Sequence, residues 1–388
     1  MVDFALPEHV SLLVDTVRRF VETEIQPFEA EAEECRGIPP GLAAVREKAK
    51  ALGLFAMAMP EEFGGAGLNH VESCLVEEQM GKTSGSLIRY VFGQTYQILL
   101  SCTAEQRERY LMPTVRGEKL CAIAITEPGA GSDAGNIKTT AIADGDDWVI
   151  NGVKHFITDG DKADYIILMA VTDPEKRARG GITAFLIDKG TPGFRVARLQ
   201  KMMGQRSSSQ AELVFENCRV SGRQVIGAVG DGFGPILRSV SRVRLVTIGA
   251  RSVGMATRLL EMARTYATQR VQFGQPIGNY QMIQQMIADT ATELYAARMM
   301  VLNAAWEMDQ GRDVHEKISM VKLFTSEMLG RAADRTLQIF GGMGYTADLP
   351  IERIYRDCRV VRIWEGTSEI HRERIARAIM RKGVALLD

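Results

Sequence analysis

The stretch Ile123-Ala-Ile-Thr-Glu-Pro-Gly-Ala-Gly-Ser-Asp133 decides the fold, because an apolar strand runs straight into a glycine-rich turn. Backbone N–H groups and the hydroxyls of Thr126 and Ser132 are left free to donate, and glycine lets a flat cofactor or a phosphate approach the chain closely. A nucleotide-binding α/β module continues as a helix after such glycines. Here Asn136 to Trp148 reads as turn and strand, which disfavours that module. Taken alone, the motif fits a tight β-turn at least as well.

Around this stretch lie Leu120 to Thr126, Trp148 to Thr158, Tyr165 to Val171, Ile182 to Ile187, Phe194 to Leu199 and Ala211 to Phe215. These runs are short and apolar, and Gly, Asp, Asn and Pro turns separate them. No helix-length period intervenes, so the reading over 118–229 is an antiparallel sheet or barrel rather than a parallel sheet.

The flanks are helical. Before the sheet, Val14, Val17, Phe20 and Val21 fall on one helix face, with a break expected at Pro27. Pro39, Pro40, Pro60, Gly64, Gly65 and Gly67 punctuate further helices, and Thr103-Ala-Glu-Gln106 predicts a capping box. After Asp231, one broad stripe runs through Met282, Ile283, Met286, Ile287, Leu294, Ala297 and Val301, and another through Ile318, Val321, Phe324 and Met328. Such stripes predict a bundle and a possible helical oligomer interface, with the methionines as core filler. The order is helices (1–117), sheet (118–229), helices (230–388), an α+β arrangement.

The 388 residues, 46% of them apolar, are enough for two or three lobes sharing buried interfaces. With 47 basic and 48 acidic residues, no global field favours nucleic acid or an anionic membrane, so an anionic ligand must be held by local donors. Cys35, Cys74, Cys102, Cys121, Cys218 and Cys358 stand far apart, the pattern of free thiols in a reducing compartment. The five histidines are scattered, and no protein-held metal is expected. Asp3 and Glu8 replace a basic-then-apolar leader, and the longest weakly polar run, Tyr90 to Ala104, is too short to span a bilayer. The expectation is a cytoplasmic protein without membrane insertion, a mature mitochondrial matrix form being the alternative.

Four further segments carry possible chemistry. Gly152-Val-Lys-His-Phe-Ile-Thr158 is a strand ending in an aromatic and a hydroxyl. Arg270-Val-Gln-Phe-Gly274, with Tyr280 and Gln281, places an arginine at a helix end, where it complements the dipole or donates to a pyrophosphate. Gln338-Ile-Phe-Gly-Gly-Met-Gly-Tyr345 reads as a helix ending in a left-handed glycine cap. Ile363-Trp-Glu-Gly-Thr-Ser-Glu-Ile370 puts Glu365 on a turn beside Trp364, before a helix that Thr367 or Ser368 can cap. A carboxylate desolvated there has a raised pKa, as a base near neutrality requires. Each segment has an ordinary structural reading on its own.

In this order, the segments resemble the acyl-CoA dehydrogenase family over essentially the whole chain. Thr126–Asp133 is the most specific of them, together with Tyr355-Arg-Asp-Cys-Arg359 leading into Trp364-Glu-Gly-Thr-Ser-Glu369. The resemblance implies an N-terminal helical domain, a central antiparallel β-domain and a C-terminal four-helix bundle, in a homotetramer (or homodimer) binding FAD. It implies that Ile125, Thr126, Ser132, Phe156 and Thr158 line the isoalloxazine. Arg270, Phe273 and Gln281 would hold the pyrophosphate and adenine. Gln338, Gly341 and Gly342 would contact FAD bound mainly by a neighbouring subunit, and Thr367 and Glu369 would meet the dinucleotide at a helix start. Substrate contacts would fall to Ser132, Arg244 and Gly366.

Glu365 would take the proton next to the thioester carbonyl of an acyl-CoA while the neighbouring carbon gives hydride to flavin N5. The carbonyl oxygen would be held by the Glu365 backbone N–H and a ribityl hydroxyl. Electrons would pass to an electron-transfer flavoprotein. An acyl-CoA oxidase and a non-catalytic flavin-binding scaffold are the alternatives on the same fold. One family branch takes its base from a glutamate just before the substrate-site arginine; here Val243 precedes Arg244. The usual aspartate three residues before that arginine is Ser241, and Arg244 to Gly254 is one residue longer than the usual pattern, which predicts a helix bulge. Arg89 lies in the helix resembling the pocket wall, and a surface or dipole role is preferred for it over contact with a polar acyl group.

Overall fold

A computed structural model describes residues 6–384 of the protein. Asp3, used in the leader argument, lies outside the described residues, as does the end of the third segment beyond residue 384.

The first segment contains helices α1 (Glu8–Phe20), α2 (Glu29–Cys35), α3 (Leu42–Ala51), α4 (His70–Met80) and α5 (Gly85–Phe92), then the short α6 (Ala104–Gln106) and α7 (Met112–Val115). Val17, Phe20 and Val21 turn inward with Leu42, Val45, Leu87 and Val91 to form its core. The break expected at Pro27 is not a break. The chain passes from α1 to α2 through a π turn, Val21–Ile25, and a 3-10 turn, Gln26–Phe28, whose first residues tolerate a proline without an N–H. The box at Thr103 is present, its hydroxyl accepting from the Gln106 N–H and the Gln106 carboxamide oxygen accepting from the Thr103 N–H.

The central sheet is β1 (Cys121–Ala124), β2 (Thr140–Asp144), β3 (Asp147–Thr158), β4 (Tyr165–Val171), β5 (Ile182–Asp188), β6 (Phe194–Leu199), β7 (Gln210–Ser221) and β8 (Val225–Ile226). Its order is β6-β7-β3-β2-β4-β5-β8, with β1 on β4. Most pairs are antiparallel as expected, but β1 and β4 run parallel and β2 touches β4 in parallel at Thr140–Val171. The sheet is therefore mixed, because the chain from β1 to β4 crosses over through the β2–β3 hairpin. β4 is buried at every residue, sandwiched between cores on both sheet faces. β7 extends well beyond the expected Ala211–Phe215 because its far half pairs with the start of β3.

The third segment is α8 (Phe233–Arg242), α9 (Arg251–Gln269), a hairpin of β9 (Val271–Gln272) and β10 (Gln275–Pro276), then α10 (Gln281–Asp309), α11 (His315–Phe340), α12 (Gly342–Tyr345), α13 (Pro350–Cys358) and α14 (Ser368–Lys382). A π segment, Val243–Ala250, joins α8 to α9 and supplies the bulge that the extra residue predicts. Gly249 lets it lie close to α11, since a Cβ there would stand 2.9 Å from Val321 Cγ1. The stripe Ile318, Val321 and Met328 is buried, but of the seven residues of the α10 stripe only Ala297 and Val301 are; Met282 is 67% exposed. Core filling therefore accounts for the inner methionines and not for this one. The glycine cap also differs: Gly341 has φ 58° and ψ −135°, outside the left-handed helical region, and the chain resumes as α12.

A buried ion cluster clamps the first segment to the third. Glu29 accepts from Arg258 (2.7 Å), Arg353 (2.6 Å) and the Thr83 hydroxyl (2.6 Å). Burial pushes its carboxyl up, and the two guanidiniums more than offset this, holding it below the usual carboxylate range. Among the described residues, no helix is long and apolar enough to cross a membrane.

Candidate active site

The turn carrying Glu365 follows from its sequence. After α13 a 3-10 turn, Arg359–Arg362, tightens the chain, which then reverses through Glu365 (φ 54°) and Gly366 (φ 96°). Thr367 caps α14, its hydroxyl accepting from the Ile370 N–H at 3.3 Å. Only glycine suits position 366, because a Cβ would lie 2.9 Å from His371 Nε2. Glu365 itself holds a left-handed conformation that a non-glycine residue adopts at a cost of about 1–3 kcal/mol, and such strain persists where the surroundings over-determine it.

Those surroundings are cationic. Arg244 Nε donates to the Glu365 carbonyl at 2.7 Å and Lys322 Nζ to the Gly366 carbonyl at 2.5 Å. His371 Nε2 stands 3.3 Å from the Glu365 carbonyl, so Nε2 carries the proton and donates. His371 is fully buried, and burial followed by the charges of Arg244 and Lys322 brings its pKa down to about 3. Burial pushes the Glu365 carboxyl up, opposed by Arg244 and then Lys322. Glu365 nevertheless keeps some accessible surface, as a side chain facing a crevice deep in the fold does. The Glu365 N–H donates to no acceptor among the described residues. Trp364 packs into the bundle core, with its indole Nε1 buried and unpaired.

The glycine-rich loop is pinned by another buried cation. Lys154 Nζ donates to the Ile125 carbonyl (2.9 Å) and to Glu127 (2.8 Å), and Glu127 also accepts the N–H groups of Lys138 and Thr139. Burial lowers the Lys154 pKa to about 8 although Glu127 pulls it up. The His155 N–H donates to the Thr126 carbonyl, tying the loop to β3. Gly129 and Gly131 face open space and Ser132 is exposed. Phe156 has φ 58° and is 52% exposed beside a bulge in β3, and Thr158 donates to Gln210. Ile125 packs on the core beneath the loop.

Tyr96, half-buried, lies within electrostatic reach of both Glu365 and Asp159, the residue after Thr158. The loop and strand thus share a neighbourhood with the Glu365 turn. Arg270, Phe273, Gln281, Gln338, Gly341 and Gly342 are exposed at the other end of the bundle, where Tyr266 stacks on Phe340 at 4.1 Å. Lys322 and Gln338 are sixteen residues apart on α11, or about 24 Å at 1.5 Å per residue, so one chain does not bring the two groups together. Glu369 is exposed beside Thr367.

Arg89 is not a surface residue. Its side chain is largely buried and pairs with Asp159 at 3.3 Å, leaving Nε without a partner. Ser241 directs its hydroxyl to the Leu237 carbonyl of its own helix, so it does not replace an aspartate in reaching across the site. Glu127, Lys154, Lys322 and His371 were not singled out from the sequence. A signal existed for Lys322, which falls at the core spacing of the Ile318–Met328 stripe, where a lysine is out of place.

An open glycine loop, an exposed aromatic on a bulged strand, a capped helix start and a desolvated carboxylate fit a flat, phosphate-bearing redox cofactor. The chain matches the acyl-CoA dehydrogenase N-terminal domain over residues 7–118, the middle domain over 122–218 and the C-terminal domain over 230–380. It is 38% identical over 385 residues to an acryloyl-CoA reductase (NADH) of Anaerotignum propionicum, covering 98% of this chain and 96% of that one. It is likewise 38% identical over 380 residues to the human short-chain specific acyl-CoA dehydrogenase, mitochondrial, covering 97% and 91%. A probable acyl-CoA dehydrogenase from Mycobacterium abscessus superposes with a TM-score of 0.91 at 35% identity, covering 97% of this chain and 100% of that one. The chain belongs to the acyl-CoA dehydrogenase family, and it is an FAD-dependent oxidoreductase.

Proposed function

We propose that the protein catalyses α,β-dehydrogenation of an acyl-CoA thioester to the 2,3-enoyl-CoA, with Glu365 as the base, and passes electrons to an electron-transfer flavoprotein. The observation that carries this is the desolvated Glu365 carboxylate on a turn whose two carbonyls are engaged by buried cations. The Glu365 N–H, which has no acceptor among the described residues, would donate to a thioester carbonyl and stabilise the charge developing there, while the carboxylate takes the α-proton. FAD, when bound, supplies the acceptor for the β-hydride. Ile125, Thr126, Ser132, Phe156 and Thr158 would hold its ring, and Thr367 and Glu369 would meet the dinucleotide. Ser132, Arg244 and Gly366 would meet the substrate.

Anaerobic mixing with a panel of acyl-CoAs should bleach the oxidised flavin for at least one member. Glu365→Gln should keep FAD and not be reduced; undiminished reduction would remove Glu365 from the mechanism. Peroxide release under air would instead favour an oxidase. The likeness to an acryloyl-CoA reductase supports a second reading, the same chemistry run toward the saturated thioester. Faster turnover of an enoyl-CoA with NADH than of any acyl-CoA with an electron-transfer flavoprotein would select it.

The exposed Met282, Tyr295 and Phe273 support a homotetramer or homodimer, with Arg270, Phe273, Gln281, Gln338, Gly341 and Gly342 holding FAD near a subunit boundary. Segments 1–117, 118–229 and 230–388 would act as three domains around one site, in the cytoplasm or a mitochondrial matrix.

A further inference from the structure

Lys322 is a costly residue. Its side chain is fully buried on α11, and among the described residues it makes no ion pair; its ammonium donates to the Gly366 carbonyl. Arg244 is nearly as buried and likewise rests on a carbonyl, that of Glu365, rather than on a carboxylate. Burying two cations without partnered carboxylates destabilises a fold unless something is gained from them. Both converge on one strained, two-residue turn whose first member is the base of the proposed reaction.

We propose that Lys322 is the positioning residue of Glu365: from the bundle core it holds the Gly366 carbonyl and, with Arg244 on the preceding carbonyl, sets the direction of the carboxylate and keeps positive charge behind it. This rests on Glu365 being the base. The peptide geometry supplies the reason. A carbonyl and the N–H of the next residue point in opposite directions across a planar peptide. Fixing the Glu365 and Gly366 carbonyls on the bundle side therefore directs the Gly366 and Thr367 N–H groups, and the turn that bears the carboxylate, away from the bundle. The charge opposes the rise that burial imposes on the carboxyl and so favours its proton-accepting form.

The groups facing Lys322 are Arg244 on the π segment, Glu365 on the turn, Glu369 on α14 and Glu327 on its own helix, with His371 of α14 against the same turn. Burial, and then the charge of Arg244, lower the Lys322 pKa to about 8, so the clamp loses its proton as the solution passes through that value.

The test uses FAD-loaded full-length protein and compares Lys322→Met, which removes donor and charge, with Lys322→Gln, which keeps a donor, and Lys322→Arg, which keeps the charge. Two readouts follow against pH: the rate of anaerobic flavin reduction by the best acyl-CoA, and the charge-transfer absorbance formed when a 3-thia-acyl-CoA loses its α-proton. The expected result for Lys322→Met is a plateau rate at least ~10-fold lower with KM within about twofold, and an acid midpoint raised by about one pH unit in both readouts. The wild-type bend near pH 8 should disappear. Lys322→Gln should recover part of the rate without restoring the midpoint, and Lys322→Arg should restore the midpoint; if the Met variant does not fold, these two carry the comparison. A variant that loses FAD and activity in proportion, with both midpoints unmoved, has lost only structure, and that overturns the proposal. Glu365→Gln is run in parallel: if it still removes the α-proton, the base is elsewhere, and the role of Lys322 falls with it for that separate reason.

Discussion

The desolvated Glu365 carboxyl costs the fold stability once it is ionised. Its carboxyl is held above its ordinary range in the fold, so the folded chain binds a proton that the unfolded chain has already released. Stability therefore falls as pH rises from the unfolded value of about 4.5 through the folded one, and stays lower above it. Glu365→Gln, isosteric and uncharged, should raise Tm at pH 8, and the gain should vanish as the pH approaches 4.5; differential scanning calorimetry at the two values measures it. The same change should lower flavin reduction by roughly 10³-fold or more, within the range for removal of a general base. No Tm gain at either pH would mean that the carboxyl is solvated.

At the scale of elements, the glycine loop and the π segment matter most. Lys154 and Glu127 form a fully buried pair that also holds the Ile125 carbonyl and two loop N–H groups. Lys154→Met leaves Glu127 charged and without its counter-ion, which should cost about 3–5 kcal/mol. A drop in Tm should come with a loss of bound flavin, measured as the ratio of visible to protein absorbance, because the 125–132 loop loses its anchor. The π segment sets the angle of Arg244. Removing Thr247 would convert Val243–Ala250 to regular helix and rotate Arg244 by about 100° relative to α9. The expected outcome is unchanged helical circular dichroism with flavin reduction down at least ~100-fold. The resemblance to the family made this bulge legible before any coordinates, since one residue more than the family's usual spacing has to be accommodated within the helix. The parallel pairing of β1 with β4 was not, because a strand run carries no sign of its partner's direction.

Across the whole molecule, two connections decide behaviour. Glu29 joins the first segment to α9 and α13, and Glu29→Gln removes the charge that Arg258 and Arg353 share. A loss of about 3–5 kcal/mol is expected near neutrality. Because the folded carboxyl is held low, the difference between wild type and variant should shrink as pH falls from about 4.5 through the folded value; urea titrations at pH 7 and pH 4 test this. At the far end of the bundle, Phe273 is 96% exposed in a left-handed conformation (φ 48°), a poor choice for a residue facing only water. Phe273→Asp should weaken self-association and FAD retention together, read by light scattering and flavin fluorescence, while leaving the monomer's Tm within a few degrees.

Periodicity, turn residues and caps act over a few neighbouring positions, so the order of helical and strand segments, the glycine-rich loop at Thr126 and the capped start of α14 were legible in the residues themselves. The candidacy of Glu365 and the surplus residue after Arg244 came from the resemblance to the family, since a lone glutamate at a helix end is ordinarily solvated. Only the tertiary structure decided that Lys322, Lys154 and His371 belong with these residues, that Arg89 is buried against Asp159, and that Ser241 bonds within its own helix. Those contacts join positions tens to hundreds of residues apart, and a lysine in the sequence looks the same whether its ammonium ends in water or on a buried carbonyl. What separates the two cases is the surrounding packing, which exists only once the helices and sheet have closed on one another.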